Sequence, residues 1–164
     1  MKEVMSYILR ARLSPISWLN ISRETSLASP HTARSYVETL ERLFVVKVLN
    51  IIQPDGRIMY RRNKKIHLTD PFLYHILSYF TGESVLEENI VESTVVSHLS
   101  RVTDVYFWKN KTEVDIVVKL GTQPTGIEIK WGVKPLRKPK HLHVFLLNKE
   151  ILPVFLASVE WSSN

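Results

Sequence analysis

Two short segments near the C-terminus alternate charged and apolar residues, and this pattern limits the fold more than any other feature of the chain. They are residues 113–118 (EVDIVV) and residues 127–131 (IEIKW), separated by a stretch that contains glycine and proline. Alternate residues of a β-strand share a face, so each segment predicts a strand with one apolar side. If the two strands pair as a hairpin, Asp115, Glu128 and Lys130 come together.

The same alternation divides the valines of the first strand between two faces. It assigns Val114 to the core face together with Ile116 and Val118, and it assigns Val117 to the face of Asp115. A half-solvated structural hairpin has this pattern too, so the residues by themselves leave open whether the face has a chemical role.

Asp115, Glu128 and Lys130 are a combination that can support hydrolysis. Two carboxylates a few ångströms apart can bind Mg²⁺ or Mn²⁺, which needs only one or two protein carboxylates because it keeps several waters. A lysine beside the metal can orient or deprotonate the attacking water. The three residues therefore predict a site that hydrolyses phosphodiesters, with Asp115 and Glu128 as metal ligands and Lys130 as a catalytic residue.

These residues resemble the motif of the PD-(D/E)XK nuclease superfamily. Asp115 stands for its first acid, Val114 takes the place of the proline that some members have, and residues 128–130 (EIK) stand for E-x-K. The motif is short, but a further acid extends the resemblance. Glu92 lies on a predicted helix beside an apolar stripe, and several nucleases of the superfamily, Holliday-junction resolvases among them, carry an acid on the helix before the hairpin. The resemblance makes Glu92 a second catalytic residue.

A longer stretch resembles the C-terminal region of archaeal AAA-type ATPases, in which a winged helix precedes a nuclease-like domain. The order is a helix with Glu92, the apolar segment 105–109 (VYFWK), then EVD and IEIK. This resemblance covers most of the chain and implies an ATPase domain or protein as a partner. No phosphate-binding loop for ATP is present in the sequence, so the motor would lie elsewhere.

The N-terminal half has the pattern of a winged helix-turn-helix. Three predicted helices end with the segment 30–44, which Ser29 caps, and two apolar segments around a Pro54-Asp-Gly56 turn follow. The helical periodicity of this segment predicts a core face formed by Ala33, Tyr36, Val37, Leu40, Leu43 and Phe44. Its free face would enter the major groove of DNA, and the residues assigned to DNA contact there are His31, Arg34, Ser35 and Arg42.

A cluster of cations follows the turn and is typical of a wing that lies along a phosphate backbone. These DNA-binding candidates are Arg57, Arg61, Arg62, Lys64 and Lys65. The charge distribution agrees with this interpretation, since residues 1–80 hold 12 Lys and Arg against 6 Asp and Glu, whereas residues 81–164 hold 10 of each. A basic half joined to a neutral half with an acidic site indicates that one part holds a polyanion on which the other acts.

The expected fold class is α+β, with a winged helix-turn-helix over residues 1–80 and a small mixed-sheet domain of PD-(D/E)XK type over residues 81–164. After Lys130 the sequence departs from the nuclease pattern, because two prolines in residues 134–139 prevent the long helix that usually follows. Residues 142–147 and 154–159 are predicted as closing strands. His141 and His143 share one predicted strand face, and solvated histidines are the favoured interpretation of that pair.

The predicted function is DNA binding with Mg²⁺-dependent hydrolysis. Two alternatives stay open: a DNA-binding or assembly module of an ATPase system that does not cleave, and a transcription regulator of winged-helix type. The absence of cysteine and of any long apolar run predicts a cytoplasmic protein without a membrane span. The sequence leaves the oligomeric state open.

Overall fold

The computed structural model describes residues 1–110, 112–120, 123–131 and 142–159, and these residues form an α+β fold. The helices are α1 (Lys2–Ala11), α2 (Trp18–Arg23), α3 (Pro30–Arg42), α4 (Pro71–Thr81), α5 (Glu87–Leu99) and α6 (Leu152–Ser158). The strands are β1 (Val46–Leu49), β2 (Ile51–Ile52), β3 (Ile58–Met59), β4 (Lys65–Leu68), β5 (Val105–Lys109), β6 (Glu113–Leu120), β7 (Gln123–Ile129) and β8 (His143–Leu147).

The chain divides into two compact units, at positions other than the predicted boundary. The N-terminal unit comprises residues 1–49 and 61–97, and the C-terminal unit comprises residues 50–60 and 98–164. The predicted division at residue 80 therefore differs from the structure twice. Residues 50–60 belong to the C-terminal unit because β2 pairs with β5, whereas most of α5 belongs to the N-terminal unit.

Local capping signals explain where three helices of the N-terminal unit begin. The Ser17 side chain accepts from the Asn20 backbone N–H in a capping box, and the Ser29 side chain accepts from Thr32 at the start of α3. At the start of α4 the Asp70 side chain accepts from the Phe72 backbone N–H, and Pro71 occupies the first turn. The predicted cap at Ser29 is confirmed.

The core face of α3 is narrower than the sequence predicts. Ala33, Val37 and Leu40 are buried as expected, but Tyr36, Leu43 and Phe44 are exposed, Phe44 to 82%. The helix ends at Arg42, two residues before the predicted end, and Phe44 adopts a left-handed backbone with φ of 57°. Leu43 and Phe44 are exposed because the helix has ended before them, whereas Tyr36 is exposed within the helix.

The two apolar segments around the Pro54-Asp-Gly56 turn pair with each other as β2 and β3, and the first segment also supplies β1, which pairs elsewhere. β1 pairs antiparallel with β4, from Val46 opposite Leu68 to Leu49 opposite Lys65. β2 pairs antiparallel with β3 and parallel with β5. The segment predicted as the tip of a wing is thus part of the sheet of the C-terminal unit.

A six-stranded mixed sheet, in the order β3-β2-β5-β6-β7-β8, forms the C-terminal unit. β6 pairs antiparallel with β5 and β7, as the predicted hairpin requires, and β7 pairs parallel with β8. The predicted strand at 142–147 is confirmed. The strand predicted at 154–159 is wrong, because residues 154–158 lie in α6. The Asn148 side chain accepts from the Glu150 and Ile151 N–H groups in the turn before this helix.

Gly126 is the position in this sheet where a side chain has least room. A Cβ there would lie 2.9 Å from Val114 Cγ1 and 3.1 Å from side-chain atoms of Leu142 and Val144. We expect Gly126→Ala to lower the free energy of unfolding by about 1–3 kcal/mol, because the strands are already in contact and overpacking forces them apart. Urea denaturation measures this, with the exposed Gln123→Ala on the same strand as the control; equal stability of both variants would contradict the close packing.

Candidate functional site

The first feature of the candidate site is an irregularity in β6 at Asp115. β5 and β6 pair Tyr106 with Val117 and then Trp108 with Val114. Two residues of β6, Asp115 and Ile116, therefore lie opposite the single residue Phe107 of β5, which is the arrangement of a β-bulge. Bulges are frequent beside active sites because they re-aim side chains.

The bulge overrides the alternation predicted for β6. Val114 and Val117, which a regular strand would place on opposite faces, belong to the same apolar cluster, whose members also include Tyr106, Trp108 and Val144 of β8. Val114, Ile116, Val117 and Val118 are all buried, so the middle of this strand is covered on both faces. The prediction of one core face and one solvated face is wrong for Val117.

Asp115 and Glu128 occupy adjacent positions on neighbouring strands. The register of β6 and β7 pairs Ile116 with Ile127, and one step further along both strands are Asp115 and Glu128. Opposite residues of antiparallel strands have Cβ atoms about 4.5–5.5 Å apart. Asp115 and Glu128 are therefore neighbouring positions of the two strands, immediately beyond their last paired residues.

Lys130 contacts Glu128 directly. Its Nζ lies 3.0 Å from Glu128 Oε1, and the side chains are 22% and 14% exposed, respectively. The Lys130 N–H donates to the Leu147 carbonyl at 2.8 Å, which holds the end of β7 against β8. An ammonium at this distance partly neutralises the carboxylate and leaves a charged donor at the edge of the acidic pair.

Asp115 and Glu128 are suitable ligands for Mg²⁺, because they are carboxylates and the ion needs only one or two of these from the protein. Among the described residues, no group of three or more His, Asp or Glu side chains is arranged to hold a metal ion. Of the predicted histidine pair, His141 lies outside the described residues, as do the prolines at 134–139.

Glu92 lies in the N-terminal unit, on α5, where it takes part in a buried polar network. Lys65 Nζ donates to Glu92 Oε1 at 3.1 Å, and the side chain of Lys65 is only 2% exposed. His67, on the same strand, is fully buried and its Nε2 lies 3.9 Å from the same carboxylate oxygen. The expectation that Glu92 sits at a packed edge is met, since it is 13% exposed.

The other nitrogen of His67 connects to two hydroxyl groups. Ser93 Oγ lies 3.0 Å from His67 Nδ1 and 2.6 Å from the Tyr74 hydroxyl. Burial raises the pKa of Tyr74 to about 12, so the phenol stays protonated and can donate to Ser93. Ser93 can then donate to Nδ1, which places the ring proton on Nε2, facing Glu92.

Nothing in the sequence pattern marked His67, Tyr74 or Ser93 as members of a network. His67 lies in an apolar strand and Ser93 in the middle of a helix, and they meet only because α5 packs on β4. The available signal was weak: charged or polar residues at alternate positions 65 and 67 of an otherwise apolar strand.

Burial of His67 gives a testable dependence of stability on pH. Desolvation, followed by the nearby Lys65 charge, lowers the pKa of His67 well below 6.5. The unfolded chain binds this proton more readily, so the stabilisation is complete above about pH 6.5 and declines as the pH falls below it, by up to ~1.4 kcal/mol per pH unit.

We expect His67→Gln to flatten this part of the curve of unfolding free energy against pH. Urea denaturation between pH 4.5 and 7.5 measures it, and His75→Gln, on the exposed side of α4, is the control. Parallel curves for wild type and His67→Gln would contradict a neutral buried histidine.

The residues predicted to contact DNA are distributed unevenly. His31, Arg34, Ser35 and Arg42 are exposed on α3, and Arg34 forms an ion pair with Glu38 at 2.6 Å. Arg61 and Arg62 are exposed in the N-terminal unit, whereas Arg57 is exposed in the C-terminal unit.

Lys64 and Lys65 do not fit the predicted role as phosphate contacts. They are 5% and 2% exposed, Lys64 Nζ donates to the Arg62 carbonyl, and Lys65 pairs with Glu92. A buried ammonium that is already paired cannot reach a phosphate at the surface without leaving its partner. The cationic cluster is therefore reduced to its three arginines.

The fold and the site define an α+β protein with a mixed sheet and a pair of adjacent strand carboxylates. The chain matches no protein-family model, no curated protein and no solved structure. Across the part of the chain that the structure describes, the helices all fall short of the length and apolarity needed to cross a membrane.

Proposed function

We propose that the chain is a DNA-binding protein that hydrolyses phosphodiesters with Mg²⁺. The observation that carries the proposal is the arrangement of β6 and β7: Asp115 at a bulge, Glu128 at the adjacent position, and Lys130 in contact with Glu128. The C-terminal unit would be the reduced PD-(D/E)XK domain that the motif implies.

The roles follow from the chemistry of each group. Asp115 and Glu128 would hold the metal, which when bound lowers the pKa of its water and neutralises charge on the phosphate. Lys130 would donate hydrogen bonds that orient the attacking water. Glu92 enters as a further acid through the resemblance alone.

The N-terminal unit would bind the DNA as a winged helix. Supporting this are the three helices α1–α3, the β1–β4 pair, and the isolated antiparallel bridge between Ile16 and Lys64. The exposed face of α3 carries His31, Arg34, Ser35 and Arg42, the residue types that contact phosphates and base edges.

The proposed activity is tested by incubating the pure chain with labelled linear and branched DNA. We expect cleavage by the pure chain in Mg²⁺ or Mn²⁺ and none in excess EDTA, with Asp115→Asn and Glu128→Gln inactive while DNA binding persists. Cleavage that survives EDTA or both substitutions would mean that these carboxylates hold no essential metal.

A second candidate is a module that binds DNA, or a partner such as an ATPase, without cleaving. It is favoured by the lysine that is already paired with Glu128. Thermal melts separate the two: the nuclease predicts a rise in melting temperature with Mg²⁺ that Asp115→Asn removes, and the second candidate predicts no response.

The exposed arginines after the wing segment give a prediction about DNA affinity. Arg61→Ala with Arg62→Ala should weaken binding and reduce the slope of log K against log salt by about 0.9 for each phosphate that the protein no longer neutralises. Fluorescence anisotropy at several salt concentrations measures the slope. Lys119→Ala with Lys149→Ala, two exposed lysines of the C-terminal unit, makes the same change in net charge, and an equal effect from this control would show that net charge alone matters.

A further inference from the structure

The outward side of α4 is an apolar surface of the N-terminal unit. Phe72, Tyr79 and Phe80 are 66%, 88% and 64% exposed. Helical spacing places His75 and Ile76 on the same side, and we call these five residues the aromatic face. The opposite side of the helix packs on the core of the unit and on α1. A helix that is apolar on both sides is normally buried, so the aromatic face indicates a surface that a partner covers.

The aromatic face has no charged residue that would oppose contact with a copy of itself. α4 contains no Asp, Glu, Lys or Arg from Pro71 to Thr81. Where two copies meet across a two-fold axis, a residue near the axis meets its own equivalent, so a charge there would be repelled by a like charge. A phosphate backbone or an anionic membrane surface, in contrast, is bound through lysine and arginine, which this helix lacks.

The two ends of α4 differ in charge. Asp70 caps the first turn and is exposed at the N-terminal end. Two exposed arginines of the α1 segment lie at the other end, where Arg10 Nε is 3.6 Å from Glu83 Oε1. Arg12 Nη2 donates to Ser84 Oγ at 3.0 Å, so this end carries two arginines beside one acid. Antiparallel packing of two α4 helices would bring the acid of each copy toward the arginines of the other, with opposed helix dipoles.

The exposed area is of the order that a dimer requires. An aromatic side chain can bury about 150–250 Å², so the exposed fractions of Phe72, Tyr79 and Phe80 amount to roughly 300–550 Å² in each copy. A standard interface buries about 800 Å² per partner, and weak ones bury less than about 600 Å². The three aromatic rings therefore supply most of the area of a weak but specific interface.

We propose that α4 is the interface of a homodimer in which the aromatic faces of two copies pack antiparallel across a two-fold axis. Ile76 lies midway along the face and meets its own equivalent, whereas Phe72 packs against the partner's Phe80. Each Asp70 approaches the arginines at the far end of the partner's helix. The dimer does not depend on the proposed hydrolysis, because the aromatic face lies wholly on the N-terminal unit.

Sedimentation velocity of the full chain, at concentrations up to about 200 µM, measures the association. We expect wild type to dimerise and Tyr79→Asp to raise the dissociation constant about 30-fold or more, because it places two like charges near the axis. Tyr60→Asp is the matched control, since Tyr60 is 67% exposed on the C-terminal unit, and it should leave the constant unchanged. If Tyr79→Asp does not fold, Phe80→Ser decides, with a rise of about ten-fold or more expected.

The orientation is tested by disulfide cross-linking, because the chain contains no cysteine. A disulfide needs Cβ atoms about 3.5–4.5 Å apart, so Ile76→Cys should cross-link to its own copy on oxidation. Phe72→Cys and Phe80→Cys should cross-link faster when mixed than either does alone. Self-linkage of each as fast as the mixture would overturn the antiparallel arrangement.

Asp70→Asn tests the contact between the acid and the arginines, because asparagine keeps a capping side chain and removes the charge. We expect it and Arg12→Gln each to weaken the dimer about two- to five-fold, with no further loss when they are combined. Independent losses would show that these charges do not meet. Wild type that stays monomeric, unchanged association in Tyr79→Asp, or an equal loss in Tyr60→Asp overturns the α4 dimer. A monomer that sediments with phosphatidylcholine–phosphatidylserine vesicles would overturn it in favour of a membrane surface.

Discussion

Lys130→Ala is expected to abolish Mg²⁺-dependent cleavage, with a loss of at least about 100-fold in the single-turnover rate. The physical reason is that Lys130 is the cation in contact with Glu128, at 3.0 Å, and it lies at the end of β7 beside the acidic pair. Alanine removes the ammonium that would orient the water and stabilise the developing charge. DNA affinity should stay close to that of wild type, because the proposed DNA-binding surface belongs to the N-terminal unit.

Lys119→Ala, an exposed lysine on the same hairpin, is the control for the loss of one positive charge. Quenched-flow cleavage of labelled DNA at saturating protein separates the chemical step from binding. Near wild-type cleavage by Lys130→Ala would remove this residue from the reaction, and an equal loss in Lys119→Ala would reduce its role to net charge. Recovery of activity in Lys130→Arg would indicate that charge is sufficient.

Glu92→Leu is expected to lower the free energy of unfolding of the N-terminal unit by about 1–3 kcal/mol, because it removes a charge-assisted hydrogen bond from a buried site. It leaves the Lys65 ammonium buried at 2% exposure without the carboxylate that lies 3.1 Å away. Removing one partner costs more than the net contribution of the intact pair, because the desolvation of Lys65 is then less fully offset. Urea denaturation at neutral pH measures the loss.

Removing both charges should recover much of this stability. The double variant Glu92→Leu with Lys65→Met removes both members of this pair, so a double-mutant cycle should give a coupling free energy of about 1 kcal/mol or more. Glu87→Gln, exposed in the first turn of the same helix, is the control for loss of an acidic residue. A cost below about 1 kcal/mol for Glu92→Leu would mean that Lys65 has water or other groups to replace its partner.

Local patterns were sufficient for the elements that they describe. Ser29 and Pro30 mark the start of α3, because a side-chain cap and a fixed proline φ act within a few residues. The alternation in 113–118 and 127–131 identified β6 and β7, and the antiparallel pairing places Asp115 next to Glu128 as the hairpin requires. These signals involve residues close together in the chain, so they can be recognised from the sequence alone.

Where local signals were misread, a competing local signal was present. Residues 154–159 contain β-branched residues that favour a strand, but Asn148 caps the preceding turn and Pro153 suits the start of a helix. The predicted extension of α3 to Phe44 failed for a related reason. The left-handed backbone at Phe44 ends the helix, and a phenylalanine gives no warning of it.

Contacts between distant residues were decided only by the tertiary structure. Lys64 and Lys65 look like surface cations in the sequence, yet β4 is covered and Lys65 meets Glu92, 27 positions away. The bulge at Asp115 is a feature of the pairing between β6 and β5, which are joined only in the folded sheet. The sequence by itself determined which chemical groups the protein has and which strands hold the acids. Packing decided which charges are buried and paired, because desolvation depends on every segment that covers a residue and no local pattern records it.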